Sequence, residues 1–208
     1  MKYDIPEEFK QFVAHVKRSC KRNGIELMLA PSRTVVLTDS FSTDCSGYFD
    51  DTDKVLAVAC GKPFKAWIEI LVHEYSHMQQ WLHDDRWTYW TDCCLELWSW
   101  LDKEKIMNSA QLNHVLEGMI ELERDCELRA LDTIRRWGLP INKSEYQRKA
   151  NLYLYSYSLM PILKKFPTGI YDNKELVAMC PARISKTSSK VPDRIAKAII
   201  DKYLSDRV

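Results

Sequence analysis

Between residues 73 and 77 the chain reads His73-Glu74-Tyr75-Ser76-His77. Side chains four residues apart stack on one face of a helix, so the two imidazoles can point at a common spot. Such a pair can hold one divalent cation at about 2.0–2.1 Å per nitrogen, the distance zinc takes to histidine. Glu74 lies slightly round the helix, where a carboxylate can take a proton from water polarised by the ion. The chemistry this spacing predicts is hydrolysis, with His73 and His77 holding Zn2+ and Glu74 as general base. Ile68, Ile70, Leu71 and Val72 precede the motif and neither Tyr75 nor Ser76 is charged, as a buried helix requires. The alternative is two histidines that only satisfy hydrogen bonds.

A catalytic zinc takes three protein ligands and keeps a fourth position open. Two places offer the third. His83 follows His77 by six residues, a spacing that resembles the metzincin peptidases, which have glycine where Gln80 stands. Glycine permits the sharp turn a third histidine needs, whereas Gln79-Gln80-Trp81-Leu82 reads as continuing helix. The other place is the later segment MIELERDCELRAL. At 3.6 residues per turn, Glu123 and Glu127 fall on the stripe of Leu116, Ile120, Leu131 and Ile134, while Glu121, Asp125 and Asp132 fall on the polar side. Inward carboxylates are costly unless paired or metal-bound. Glu123 is read as ligand and Glu127 as a supporting acid on a ligating histidine, with the roles interchangeable. Simple pairing with Arg124 and Arg129 is the plainer alternative. Tyr153 and Tyr157, four apart, offer a phenol as oxyanion donor, or else pack as core.

Two histidines on one helix and a glutamate on a later one resemble the gluzincin peptidases. ELERD (121–125) is similar to the E-x-E-A-D/N stretch of ImmA/IrrE-type metallopeptidases, with Arg124 where that family has alanine. LVHEYSHMQQW, ELERDCELRALDTI and RKANLYLYSY together resemble metallopeptidases encoded by phages and large viruses. The resemblance implies a zincin-like fold, a catalytic zinc with Glu123 as third ligand, and a peptide or protein substrate. It also implies that the strand before the motif helix is a sheet edge that pairs with extended substrate. Here that strand is Lys54–Cys60 or the SGYF segment before it.

These residues need elements to position them. Phe9, Phe12, Val13 and Val16 predict a helix over 6–22, stopping near Asn23-Gly24. IELMLA (25–30), RTVVLT (33–38) and KVLAVAC (54–60) read as strands, with a polar stretch before the third. Helices are predicted over 64–83, 87–101 and from the Asn108/Ser109 cap region to Trp137, ended by Gly138 and Pro140. Another starts at Ser144 with Gln147 placed for a capping box, and a last one opens at Pro192-Asp193 after a basic linker, RISKTSSKVPD. Strands first and helices after indicate an α+β fold. We read residues 1–208 as a single zincin-like domain: 1–63 helix plus small sheet, 64–138 metal-site helices, 139–208 a helical subregion.

Composition limits the alternatives. The 208 residues are 46% hydrophobic and 28% charged with a net charge of +1, so no global field draws the chain to nucleic acid or an anionic membrane. The only basic run, 183–190, reads as a solvated linker. No apolar run approaches the ~20 residues of a membrane span, and MKYDIPEEFK lacks a secretory layout. The reading is a cytoplasmic protein, of the host cell if virus-encoded. Seven cysteines without a CxxC pair read as reduced, mostly buried thiols. A non-catalytic zinc-binding scaffold that binds a protein partner is the competing function, against which Glu74 argues, because a scaffold needs no general base.

Overall fold

The computed structural model describes residues 5–37, 43–187 and 190–204. The first four residues of the expected leader-free N-terminus, Thr38 of the second expected strand, part of the polar stretch after it, and residues 188–189 of the basic linker lie outside them. The protein is α+β, mainly helical, with a small mixed sheet. Its described residues divide into two compact units: residues 1–84 with 129–141, and residues 85–128 with 142–208. These units cut across the three consecutive subregions expected from the sequence.

In the first unit, α1 (Glu7–Arg22) turns Phe9, Phe12, Val13, Val16 and Cys20 inward, the stripe its spacing predicts. Strand β1 (Glu26–Ala30) follows, then β2 (Val35–Leu37), β3 (Thr43–Cys45), β4 (Gly47–Asp50) and β5 (Val55–Ala59). β2 and β3 pair antiparallel as a separate two-stranded sheet. The main sheet has the order β1-β5-β4, with β5 parallel to β1 and antiparallel to β4. Leu56, Ala57, Val58 and Ala59 are all fully buried, as a strand covered on both faces should be. The strand before the motif helix is therefore central, which corrects the expectation that Lys54–Cys60 is an edge. Among the described residues the edges of this sheet are β1 and β4, and β4 takes in the GYF of the SGYF alternative. Its polar flanks hide it from pattern reading, and pairing with β5 makes it a strand.

The motif helix α2 (Phe64–His83) packs on β4 and β5. Its inner side buries Trp67, Ile68, Leu71, Val72, Tyr75 and Met78. The unit is completed by the end of α4 (Ser109–Arg136) and the residues after it. Trp137 sets its ring against Phe12 at 5.9 Å and His15 at 4.7 Å between centroids. Gly138 ends α4 with a φ of 58°, a conformation that only glycine takes without strain, and Leu139 N–H returns to Ile134 O at 3.0 Å.

The second unit holds α3 (Trp87–Leu101), most of α4, α5 (Lys143–Leu163), a short 3-10 turn at Ile170–Asp172, α6 (Lys174–Met179) and α7 (Asp193–Leu204). Trp90, Leu97, Val115, Leu116, Met119, Tyr157 and Met160 form one apolar cluster. Leu152, Leu159, Leu163, Ile170, Ile195 and Ile199 belong to another. The expected capping box of α5 is not what starts it. Asn142 is the cap, its Oδ1 accepting from Ser144 N–H and Glu145 N–H, while Gln147 Nε2 donates to Lys143 O. Asparagine is as good a cap as serine, so local sequence leaves the choice to the approach of the chain. No helix of the described residues is long and apolar enough to cross a membrane. All seven cysteines are free thiols, five of them buried.

Candidate metal centre

Helix α2 runs without interruption from Phe64 to His83, so the geometry of the motif is that of a straight helix. His73 and His77 sit one turn apart on a half-buried strip, and their Nε2 atoms are 3.1 Å apart with ring planes at 85°. His77 Nδ1 stands 2.8 Å from Gln80 Oε1. A carbonyl oxygen can only accept, so Nδ1–H of His77 donates and a neutral ring keeps its lone pair on Nε2. That lone pair faces His73. Two nitrogens bound at zinc distance to one tetrahedral ion stand about 3.3 Å apart. The observed spacing and the tautomer set by Gln80 both suit a shared cation. Gln80 is fully buried, and its amide supplies the second hydrogen bond that a ligating histidine usually makes. Sequence reasoning treated Gln80 only as an obstacle to a turn. Its position three residues after His77, on the same helical face, was the available signal.

Glu74 is buried at 7% exposure. Close approach by β4 encloses it, since a Cβ added to Gly47 would lie 3.1 Å from Glu74 Cγ, 2.6 Å from Ile70 Cγ2 and 2.9 Å from Ala57 O. Only glycine lets the edge strand run this near the helix. The neighbouring Cys45 thiol is pushed up to about 11, first by burial and then by the Glu74 carboxylate, so it stays protonated and carries no negative charge beside Glu74. The two middle residues of the motif face elsewhere. Tyr75 packs edge-on to Phe12 and hydrogen-bonds His15 through its hydroxyl at 2.9 Å, and Ser76 Oγ donates to Val72 O at 2.8 Å.

Comparison with family models, with curated proteins and with solved structures gives no match for this chain. The assignment of chemistry therefore rests on the residues themselves.

His83 is exposed at the end of the unbroken helix. Six residues past His77 place it about 9 Å along the axis and about 120° round it, so α2 does not bring it to the His73–His77 strip. The second unit holds the carboxylate candidates. Glu123 and Glu127 are each 5% exposed on α4, as projection of the helix predicts, whereas Glu121 and Asp125 are partly exposed and Asp132 is exposed. Cys126 lies between them, fully buried. Arg129 donates to Asp84 at 2.8 Å, and Glu121 pairs with Arg86 at 2.5 Å.

Tyr153 and Tyr157 have a partner the sequence did not disclose. Their hydroxyls lie 3.2 and 3.1 Å from the same oxygen, Glu123 Oε1, and 2.9 Å from each other. Burial, and next the Glu123 carboxylate, raise the Tyr157 phenol well above its ordinary value, so it remains a proton donor. The same two causes, in the same order, push the Cys94 thiol up to about 12. Oxyanion donation would require phenols directed at substrate; here their protons are directed at a carboxylate.

Proposed function

We propose that this protein is a zinc-dependent hydrolase of the metallopeptidase type, acting on peptide bonds. The observation that carries the reading is the His73–His77 pair, with Nε2 atoms 3.1 Å apart and the ring of His77 fixed by Gln80. Zinc held there would supply a lowered pKa for a bound water and polarisation of the carbonyl under attack. His73 and His77 hold the ion. Glu74, one residue along and shielded by β4, accepts the proton of the attacking water and returns it to the leaving amine. For the third donor the sequence reading puts Glu123 first, with Glu127 and His83 as the alternatives. A carboxylate donor keeps the site closer to the catalytic than to the thiolate-rich structural class of zinc site.

The substrate class follows from the strand beside the general base. β4 lies against Glu74 and is the last strand of its sheet among the described residues. An extended peptide can add to such an edge through main-chain hydrogen bonds. That supports a zincin-like arrangement, with SGYF in the edge position. Since strand addition reads backbone, it gives little side-chain specificity.

The test is zinc content and peptide hydrolysis of the purified protein and of Glu74→Gln. About one zinc per chain in both is expected, with hydrolysis lowered about 10²- to 10⁴-fold by the substitution. Equal zinc and equal activity in the two proteins would reject Glu74 as base. Zinc in both with no hydrolysis by either would leave the non-catalytic binding scaffold as the better reading.

A further inference from the structure

Within the first unit, α1 sets His15, Arg18, Ser19 and Arg22 at helical spacing, so the four share one face. The segment after α4 closes on that face. The Trp137 ring lies 4.7 Å from the His15 ring, which brings the adjacent Arg136 to the same place. Tyr75 of α2 completes the cluster, its hydroxyl 2.9 Å from His15 Nε2. Arg18, Arg22 and Arg136 are exposed, while His15, Ser19 and Trp137 are half-buried. Burial, and then these same three guanidiniums, hold His15 below its ordinary value. Other cations of these helices are paired: Lys10 with Glu7 at 2.6 Å and Arg135 with Asp132 at 2.8 Å. Among the described residues, Arg18, Arg22 and Arg136 have no ion pair. Arg22 and Arg136 each end a helix, where a cation complements the dipole. Two helix ends offer only about half a negative charge each, against three guanidiniums. The excess calls for an anion.

We propose that His15, Arg18, Arg22 and Arg136 form a binding site for a phosphate group, free or esterified, beside the Trp137 ring. Guanidinium groups match phosphate oxygens with paired N–H donors, and they keep their charge at any physiological pH. A phosphate monoester carries a charge of about −1.5 to −2 at neutral pH, enough to offset most of the local excess. The cluster is compact, drawn from two turns of α1 and one residue at the end of α4. That suits a single phosphate better than the run of cations that tracks a nucleic acid backbone. None of its donors belongs to the His73–His77 pair, so the site stands whether or not that pair holds a metal.

Titration calorimetry of the full chain with inorganic phosphate and with glycerol phosphate is the test, at an ionic strength fixed with sodium chloride. A single saturable site is expected. Arg22→Gln and Arg136→Gln should each weaken it about tenfold or more, the effect of losing one hydrogen bond to a charged group. Both side chains are exposed, so the substitutions leave the core intact. Lys197→Gln removes an exposed charge from α7 and should leave binding unchanged. Tighter binding of glycerol phosphate would mark an esterified ligand, and tighter or equal binding of inorganic phosphate the free ion. Losses of the same size in all three variants would show general charge attraction and overturn the site, as would absence of saturable binding. Loss of binding in His73→Ala, with the arginine variants unaffected, would put the phosphate on a metal at α2 and likewise overturn it.

Discussion

The histidine pair of α2 draws on residues 73 to 80 of a single helix, whereas Glu123 meets its phenols across 30 and 34 residues of chain. The first cluster is half-buried and local; helix formation alone brings its nitrogens together. The second sits in the apolar interior of its unit and exists only when α4 and α5 pack. A local polar cluster can be altered with little effect on the core, while a tertiary one is part of the core's integrity. Side-chain geometry at His73 and His77 is thus a property of the helix, and geometry at Glu123 a property of the fold.

The largest difference should appear on truncation. Tyr157→Ala removes a side chain 3% exposed from the Trp90–Met160 cluster and should cost about 3–5 kcal/mol, by analogy with aromatic deletions, read as a lower urea midpoint. His77→Ala should cost about 1 kcal/mol or less, since its site is only half-buried. Equal costs would break the distinction between local and tertiary clusters. Next, Gly47→Ala should destabilise by about 1–3 kcal/mol through overpacking against Ile70 and the Ala57 carbonyl, and should lower hydrolysis by displacing Glu74. An unchanged thermal midpoint would mean that β4 does not confine the helix. Gln80→Met keeps the volume and removes the acceptor of His77 Nδ1–H. Metal affinity should fall about tenfold or more with the urea midpoint moved by less than in Gly47→Ala.

The smallest effect concerns pH. Burial, then Arg18, Arg22 and Arg136, hold His15 below its ordinary value. The unfolded chain therefore binds a proton that the folded chain resists, and stability present above about pH 6.5 should decline as pH falls below it. A His15→Gln variant should show a flatter acid limb in urea titrations, and identical limbs would remove His15 from the account. At the other extreme, Cys20, Cys60 and Cys180 thiols are pushed up to about 11 by burial. Their contribution holds at neutral pH and is lost as pH rises from about 9 through 11, because the unfolded thiols ionise first.

Helical periodicity explains why so much of the site was legible. The bounds of α2 and α3 and the inward turn of Glu123 and Glu127 all follow from 3.6-residue spacing. What was missed depends on partners distant in sequence. β3 has only Thr43–Cys45 and becomes a strand by pairing with β2, while β4 (Gly47–Asp50), offered from the sequence only as the SGYF alternative, is made a strand by pairing with β5. The shared carboxylate of Tyr153 and Tyr157 needs the register of α5 on α4, which no window along the chain contains. Gln80 lies between these cases. Its spacing from His77 was readable, but its burial and rotamer are set by packing. The cap at Asn142 is a choice between two adjacent polar residues that propensity alone cannot make.

Trp137 closes over Phe12 and His15 although more than a hundred residues of chain separate them. As the polypeptide leaves the ribosome, the N-terminal piece must wait, incomplete and with apolar surface uncovered, until residues 129–141 have been made. A shortened protein ending at Asp84 would carry the whole His-Glu-x-x-His helix and yet lack this late-arriving cover. Expression of such a fragment should yield aggregates rather than a minimal metal-binding module.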